Sequence, residues 1–217
     1  MNTNNHMLEM ALTRGPVIPV LVIDRVDDAV PLARALMTGG VHVLEVTLRT
    51  PAALDVIRTL VQEFPQALVA AGTVTTPEQW EAVARAGAHL AVSPGLTPRL
   101  LSVLRSGAPI PLLPGVATAS ELMTAMDAGL NSFKFFPAEQ AGGAGMLKAF
   151  HGPFAEARFC PTGGITVNNA AAYLALPNVT CVGGSWLVPA SAVREGDWAR
   201  ITQLPRDTLT LNGILTA

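Results

Sequence analysis

Strand-like and helix-like segments alternate along almost the whole chain, and this alternation limits the folds that the sequence can adopt. Short runs rich in β-branched residues begin at residues 17, 42, 67, 89, 111, 132, 158 and 179, so that successive runs start 21 to 26 residues apart. Helical patterns lie between these runs, and several of them follow a threonine and a proline. Threonine is a favoured N-cap and proline a favoured first helical residue. The three predicted starts are Thr50-Pro51, Thr76-Pro77 and Thr97-Pro98. Four helices are predicted to end at a glycine, namely Gly39, Gly87, Gly107 and Gly129.

Alternating strands and helices are typical of a parallel sheet. Eight such units at a regular spacing predict closure into an α/β fold of the (β/α)₈ barrel type, and 217 residues fit a single domain spanning 1–217. The alternative is an open doubly wound sheet, which carries a glycine fingerprint after its first strand. Here Asp24-Arg25-Val26 stands at that place. We also expect an N-terminal helix across the base of the barrel and a final helix over residues 191–204.

Composition excludes several classes of partner. The net charge is −2, so the chain has no overall basic field for nucleic acid or an anionic membrane surface. No apolar run reaches the length of a membrane span, and Met1–Met10 lacks the features of a signal peptide. Cys160 and Cys181 lie in apolar, strand-like runs. We predict that both are reduced core thiols in a cytoplasmic protein, with a disulfide between them as the alternative.

The second predicted strand places three polar side chains on one face. Side chains alternate along a strand, so Glu45, Thr47 and Arg49 share one face, while the apolar residues between them share the other. The apolar face is expected to pack on the helices, which turns the polar face toward the barrel interior. Functional groups of such barrels lie at the C-terminal ends of the strands. These residues therefore indicate either part of an active site or a structural ion pair between Glu45 and Arg49.

The sixth predicted strand carries a lysine between two aromatic residues. Phe133 and Phe135 alternate with Lys134, so the lysine faces the interior if the phenylalanines pack on the helices. Lysine is rarely buried, and burial disfavours the charged amine, which leaves a neutral nucleophile. The alternatives are a lysine that binds an anion at the barrel mouth and one that extends into water. Because Glu45 is available to move protons, we favour Schiff-base chemistry on a ketone.

The last two predicted strands end in pairs of glycines. The seventh strand leads into Gly163-Gly164, and the eighth leads into Gly183-Gly184, followed by Ser185. In (β/α)₈ barrels the loops after these two strands commonly bind phosphate, because glycine lets backbone N–H groups approach the anion. Ser185 can add a hydroxyl donor. Tight turns also need glycine, but two pairs at these two loops favour a phosphate site.

Thr73 and Ser93 are further polar residues at predicted strand ends. Both could line the pocket, although turn formation is the preferred interpretation for Ser93 and for Gly95. His42 has the parity of the outward face of its strand, and no other histidine falls at metal-ligand spacing. The sequence therefore predicts no metal site and no cofactor.

Six strings of the sequence resemble one enzyme family. They are LEVTLRT (44–50), AAGTV (70–74), SPGLT (93–97), FKFFPAE (133–139), RFCPTGGI (158–165) and GGSWLVP (183–189). In this order and at this spacing they look like the bacterial 2-keto-3-deoxy-6-phosphogluconate (KDPG) aldolases of the Entner–Doudoroff pathway. The resemblance runs from about Gly15 to Arg200, which is most of the chain.

This resemblance implies a class I aldolase that acts on a phosphorylated keto acid, works without metal and is usually a homotrimer. By the same resemblance, Lys134 matches the Schiff-base lysine and Glu45 the general acid and base. The substrate-binding residues would be Arg49 and Thr73 for the pyruvate carboxylate, Pro94 for the pyruvyl pocket, Thr162 as a pocket hydroxyl, and Gly163, Gly164, Gly184 and Ser185 for the phosphate.

Three alternatives stay open at this point. The first is the same chemistry with another substrate, either 4-hydroxy-2-oxoglutarate or the galactonate epimer of KDPG. The second is a phosphate-binding barrel isomerase or synthase, which has no need of Lys134. The third is a non-catalytic sugar-phosphate sensor, which needs neither Lys134 nor Glu45. Borohydride reduction with pyruvate separates them, because it attaches a pyruvyl group to the chain only through a Schiff base.

Overall fold

The computed structural model describes residues 3–211, and within them strands and helices alternate as the sequence predicts. The predicted domain bounds of 1–217 reach beyond this range at both ends. The strands are β1 (Val17–Leu21), β2 (Val43–Thr47), β3 (Leu68–Gly72), β4 (Leu90–Val92), β5 (Leu112–Leu113), β6 (Gly115–Val116), β7 (Ser132–Phe135), β8 (Arg158–Pro161) and β9 (Val182–Gly184). The fifth predicted strand is thus two segments, β5 and β6, separated by Pro114, which has no N–H to donate. The sixth, seventh and eighth predicted strands are β7, β8 and β9.

Helices follow the strands at the predicted places. They are α1 (Thr3–Leu12), α2 (Ala29–Thr38), α3 (Ala53–Glu63), α4 (Pro77–Arg85), α5 (Pro98–Gly107), α6 (Ala119–Met126), α7 (Gly143–His151), α8 (Ala170–Leu174), α9 (Ala190–Glu195) and α10 (Trp198–Leu211). The hydroxyls of Thr76 and Thr97 accept the capping hydrogen bonds of α4 and α5, which confirms two of the predicted N-caps. The third is wrong: α3 begins after Ala52, and the Thr50 hydroxyl instead donates to the carbonyl oxygen of Ile23.

The helix ends differ from the prediction at two places. Gly87 and Gly129 have the left-handed conformation expected after a helix, whereas after α2 this conformation falls on Gly40 rather than Gly39. The single final helix predicted over 191–204 is two helices. Gly196, with a φ of 66°, ends α9, and α10 begins two residues later.

The strand pairs of the sheets are all parallel. One sheet has the order β5-β4-β3-β2-β1-β9, and the other has the order β6-β7-β8. The two sheets meet at Pro114, where β5 runs into β6, and at a parallel bridge between Thr162, just after β8, and Gly183 of β9. Through both junctions the strands close into a barrel, with β5 and β6 counted as one strand. The predicted (β/α)₈ fold is confirmed.

A large hydrophobic cluster lies between the strands and the surrounding helices. Phe133 and Phe135 of β7 belong to it, as predicted. Both rings lie near the ring of Phe159 on β8, with centroids 5.9 and 6.4 Å away. Because these two side chains point outward, Lys134 between them points into the barrel.

A second cluster fills the lower part of the barrel interior. Leu8, Ala11 and Leu12 of α1, which are at most 2% exposed, pack in it against residues at the starts of several strands, such as Val43 and Leu68. This arrangement closes the N-terminal end of the barrel, so the predicted helix across its base is confirmed.

The two cysteines also belong to this inner cluster. Cys160 and Cys181 are buried and do not form a disulfide, which confirms that they are free core thiols. A hydrogen bond with Cys160, together with burial and the nearby charge of Glu45, raises the pKa of the Cys181 thiol. The thiols are therefore packing groups of the barrel interior, and Cys181 is a poor nucleophile.

Candidate active site

Lys134 and Glu45 meet inside the barrel. They come from β7 and β2, which are not neighbouring strands, and their side chains cross the interior to reach each other. Nζ of Lys134 donates a hydrogen bond to Oε1 of Glu45 over 3.0 Å, and the two residues are only 6% and 4% exposed. Charged residues are seldom buried unless they are paired, and here each is the partner of the other. Both face the interior, as strand parity predicts.

An apolar floor lies beneath this pair. The small cavity that the two side chains share is also lined by Leu8 and Leu12 of α1 and by Val43 of β2. Its volume of about 10 Å³ is at the limit of what one water molecule occupies. Because water cannot screen the pair from below, the interaction between the amine and the carboxylate is stronger than it would be in solvent.

Two residues beside the pair escaped the sequence analysis. The ring of Phe136, the first residue after β7, lies 5.4 Å from Nζ of Lys134, which is within cation–π distance. Gly72, the last residue of β3, lies against Glu45, and a Cβ there would be only 2.4 Å from Oε1. Glycine at position 72 therefore makes room for the carboxylate. The sequence signals for them are an aromatic residue directly after the strand of Lys134 and a glycine at the end of the strand that follows the strand of Glu45.

Arg49 does not pair with Glu45. Its Nε donates to the Thr47 hydroxyl over 3.1 Å, and that hydroxyl in turn donates to the carbonyl oxygen of Leu21 over 2.8 Å. The alternative prediction of a structural ion pair between Glu45 and Arg49 is therefore wrong. Arg49 is exposed and forms no ion pair within residues 3–211. Its guanidinium is available to an anionic ligand.

Thr73 and Pro94 follow β3 and β4 at the same end of the barrel as Arg49. Thr73 has a φ of 62°, a conformation that β-branched residues rarely adopt and that is typical of functional sites. Pro94 is half-buried, and its carbonyl oxygen would lie 2.2 Å from a Cβ on Gly115. The chain bends at Pro94 and Gly95, directly after Ser93, whose buried hydroxyl makes no hydrogen bond within the described residues. The turn-forming role of Ser93 and Gly95 stays a prediction.

The two glycine loops are neighbours. The bridge between Thr162 and Gly183 holds the ends of β8 and β9 side by side. Gly163 and Gly164 have φ values of 103° and 77°, a region that favours glycine. Thr162 is 7% exposed and lines the small cavity beneath the buried lysine and carboxylate. One loop thus reaches from the buried pair to the glycine pair.

Gly184, the last residue of β9, pairs with Pro19 of β1, and Ser185 follows it in the chain. The ring of Trp186 covers Gly184, where a Cβ would be 1.7 Å from a ring carbon. Ser185 is exposed and lines a cleft of about 760 Å³, which is also lined by Arg25 and Arg194. The cleft of Ser185 holds acidic as well as cationic side chains, because Asp24 and Asp28 also line it and Asp28 pairs with Arg25. It is not the cavity beneath the buried pair.

Within residues 3–211, no group of three or more His, Cys, Asp or Glu side chains could hold a metal ion. Nor does any helix in that range have the length and apolarity needed to cross a membrane. The predictions of no metal, no cofactor, no membrane and no nucleic-acid partner remain predictions.

The barrel and the buried pair define a class of enzyme. An amine next to a carboxylate, enclosed in a (β/α)₈ barrel, provides the nucleophile and the proton carrier that Schiff-base chemistry on a ketone requires. This arrangement is the one expected of an aldolase, a carbon–carbon lyase that works through a Schiff base.

Comparison with known proteins gives the family. The family model for KDPG and KHG aldolase matches residues 8–204. The chain is 57% identical to the 2-dehydro-3-deoxy-phosphogluconate aldolase of Dickeya dadantii over 93% of this chain and 94% of that protein. It is 56% identical to the KHG/KDPG aldolase of Escherichia coli over the same shares. It resembles the crystal structure of KDPG aldolase from Legionella pneumophila, in which pyruvate was captured at low pH as a covalent carbinolamine. The TM-score is 0.89 at 52% identity, over 91% of this chain and 96% of that one. The chain belongs to the KDPG and KHG aldolase family.

Proposed function

We propose that this chain is a class I aldolase that cleaves KDPG into pyruvate and glyceraldehyde 3-phosphate. The observation that carries the proposal is the buried 3.0 Å hydrogen bond between Nζ of Lys134 and Oε1 of Glu45. The names of the relatives support the substrate. The carbinolamine in the Legionella pneumophila structure supports a family amine that adds to pyruvate.

Lys134 begins the reaction by attacking the keto carbon, C2. The amine must be uncharged to attack, and the hydrogen bond to Glu45 provides a path by which a proton can leave Nζ. The new N–C bond gives a carbinolamine. Glu45 returns the proton that it took from Nζ to the C2 hydroxyl, which leaves as water, so that a protonated Schiff base forms and Glu45 is again a carboxylate. The ring of Phe136, 5.4 Å from Nζ, is placed to stabilise this positive charge.

Glu45 then takes the proton of the C4 hydroxyl. As that proton leaves, the C3–C4 bond breaks, its electron pair moves toward the iminium, and glyceraldehyde 3-phosphate departs as the aldehyde. The remaining enamine takes a proton at C3 from Glu45. Water hydrolyses the Schiff base, which releases pyruvate and restores the amine of Lys134. Glu45 acts first as a base and then as an acid, so it is regenerated in each cycle.

Residues at the barrel mouth suit the two anionic ends of the substrate. The guanidinium of Arg49, which forms no ion pair within residues 3–211, and Thr73, just after the neighbouring strand, suit the carboxylate. Backbone N–H groups of the glycine loops suit the phosphate. In this assignment Pro94 and Thr162 line the pyruvyl end, and the phosphate is bound by Gly163, Gly164, Gly184 and Ser185.

Cleavage of 4-hydroxy-2-oxoglutarate is a second candidate activity. KHG is another abbreviation for this substrate, and both the Escherichia coli relative and the family model are named for KHG as well as KDPG. This substrate has the same keto acid end but no phosphate, so it would use Lys134, Glu45 and Arg49 without the glycine loops. We expect it to be cleaved less efficiently than KDPG, because the phosphate is a remote anchor that positions the reacting carbons.

We further propose that residues 1–217 form one domain, and that the enzyme is a homotrimer that acts in the cytoplasm in the Entner–Doudoroff pathway. The resemblance to the family supports these points. Light scattering of the purified protein tests the trimer.

The lysine content of the chain makes the decisive experiment simple. There are two lysines, Lys134 and the exposed Lys148. We expect borohydride in the presence of pyruvate to attach one pyruvyl group to the unmutated protein at Lys134. Lys134→Gln, which removes the nucleophile but keeps a donor for Glu45, should abolish both trapping and cleavage. The matched variant Lys148→Gln should keep both. Pyruvate trapped on Lys148, or cleavage that survives Lys134→Gln, would refute the assignment.

A further inference from the structure

Glu139 and Tyr173 form a contact beside the glycine loop that the proposed reaction does not use. Tyr173 of α8 is 1% exposed, and its hydroxyl donates a hydrogen bond to Oε1 of Glu139, an exposed residue in the segment after β7. Burial and this hydrogen bond raise the pKa of Tyr173, so the phenol remains a donor at every ordinary pH. The buried hydroxyl therefore has a stable acceptor in a residue 34 positions away along the chain.

Glu139 also lies directly on the glycine pair. A Cβ on Gly164 would be 2.5 Å from Cγ and 2.8 Å from Cβ of Glu139. The N–H of Glu139 donates to the carbonyl oxygen of Gly163 over 3.1 Å. One residue thus contacts both glycines, through its backbone and through the first two carbons of its side chain.

This position brings a negative charge close to a loop assigned to an anion. A free carboxylate there would repel phosphate and compete for the same backbone donors. Tyr173 holds the carboxylate on the side of α8, and Gly143 leaves space for this contact. A Cβ on Gly143 would be only 3.3 Å from the Tyr173 hydroxyl and 3.6 Å from Oε1 of Glu139.

We propose that Glu139 and Tyr173 are positioning residues of the phosphate site. The side chain of Glu139 packs against Gly164 and supports the loop, while Tyr173 holds the carboxylate away from the bound anion. This inference rests on the proposed function, because it takes Gly163 and Gly164 as phosphate ligands. Neither residue lines the cavity of Lys134, so the pair acts on substrate affinity and not on the bond-breaking step.

Tyr173→Phe is the first test, because it removes the hydroxyl and keeps the packing of the ring. We expect kcat/KM for KDPG to fall about tenfold, as for the loss of one hydrogen bond to a charged group, mainly through a higher KM. The inhibition constant of inorganic phosphate should rise by a similar factor, while cleavage of unphosphorylated 2-keto-3-deoxygluconate changes much less. Adding Glu139→Gln to this variant removes the released charge and should restore most of the phosphate affinity. Glu156→Gln, at another exposed carboxylate, is the control for a general charge effect.

Two results would overturn the proposal. One is an equal loss on both substrates in Tyr173→Phe with unaltered inhibition by phosphate. The other is a double variant that binds phosphate no better than Tyr173→Phe. If Tyr173→Phe does not fold, Glu139→Gln alone decides, since it should bind phosphate at least as well as the unmutated protein and a tenfold weaker affinity contradicts the proposal. Trapping of pyruvate on Lys134 tests the proposed function separately, because it involves no phosphate.

Discussion

Gly72→Ala tests whether the space beside Glu45 is part of the active site. Gly72 does not have the left-handed conformation, so alanine fits its backbone and any effect must come from the added methyl group. That carbon would be 2.4 Å from Oε1 and 2.9 Å from Cγ of Glu45, whereas ordinary contact begins near 3.4 Å. The carboxylate must therefore move away by about 1 Å, a displacement large enough to affect catalysis.

The expected loss follows from that displacement. The hydrogen bond from Lys134 is 3.0 Å long and would be stretched or lost when Oε1 moves by this amount. A misplacement of about 1 Å can cost about a hundredfold in rate, which corresponds to about 2.7 kcal/mol. Crowding in the core should lower the free energy of unfolding by about 1–3 kcal/mol. We expect a folded protein whose kcat/KM for KDPG is about a hundredfold lower.

The assay is the rate of pyruvate release, with urea unfolding measured on the same samples. Gly145→Ala is the matched control, because an added Cβ there has no atom within 4 Å and the residue lies in α7. It should keep full activity and gain about 0.5–1 kcal/mol of stability. Glu45→Ala removes both clashing atoms, Cγ and Oε1, so Gly72→Ala should not lower the free energy of unfolding in that background. The same loss of stability with and without the Glu45 side chain would refute the steric explanation.

Three further measurements test other parts of the site. Ser185→Ala should lower kcat/KM for KDPG by the equivalent of about 1–3 kcal/mol and change cleavage of the unphosphorylated sugar acid little. An equal loss of kcat/KM on the two substrates would show that Ser185 does not bind phosphate. Phe136→Leu removes the cation–π contact and should lower kcat by the equivalent of about 0.5–2 kcal/mol, whereas Phe136→Tyr should keep the kcat of the unmutated protein. Similar kcat values for the two variants would contradict a cation–π role for Phe136. The free energy of unfolding should fall as pH rises above about 8.5, where unfolded thiols and later phenols ionise, because Cys181 and Tyr173 have raised pKa values and stay protonated when folded. Urea titrations between pH values of about 8 and 10.5 measure this loss, and a flat profile would be inconsistent with it.

The sequence could reveal the inward lysine and carboxylate because the direction of a side chain in a strand depends on local parity alone. Phe133 and Phe135 identify the outward face of β7, so Lys134 is assigned without knowledge of the rest of the fold. The regular spacing of strands then predicts the barrel, and the barrel brings β2 and β7 to opposite sides of one interior. For the same reason Thr76 and Thr97 were correctly predicted as caps, since a cap needs only the next three residues.

Local strand parity does not predict contacts that depend on strand register or on residues distant in the sequence. The contact between Gly72 and Glu45 follows from the pairing of β2 with β3, which sets Gly72 opposite Thr47. The Thr50 hydroxyl does not cap α3 because the carbonyl oxygen of Ile23, 27 residues earlier, is within its reach. The choice between partners for Glu45 likewise needed the three-dimensional structure, since strand parity allowed both Arg49 and Lys134.

The burial of the Lys134–Glu45 pair is better explained by chemistry than by stability. Removing an amine and a carboxylate from water costs several kcal/mol for each ion, and apolar residues of similar size often stabilise a core at least as well. The fold encloses this pair all the same, with α1 supplying the apolar floor beneath it. The carboxylate of Glu45, 3.0 Å from Nζ of Lys134, is a defined acceptor for the proton that must leave the amine before it attacks a ketone. By closing the base of the barrel with apolar side chains, α1 limits the access of water to the pair from below.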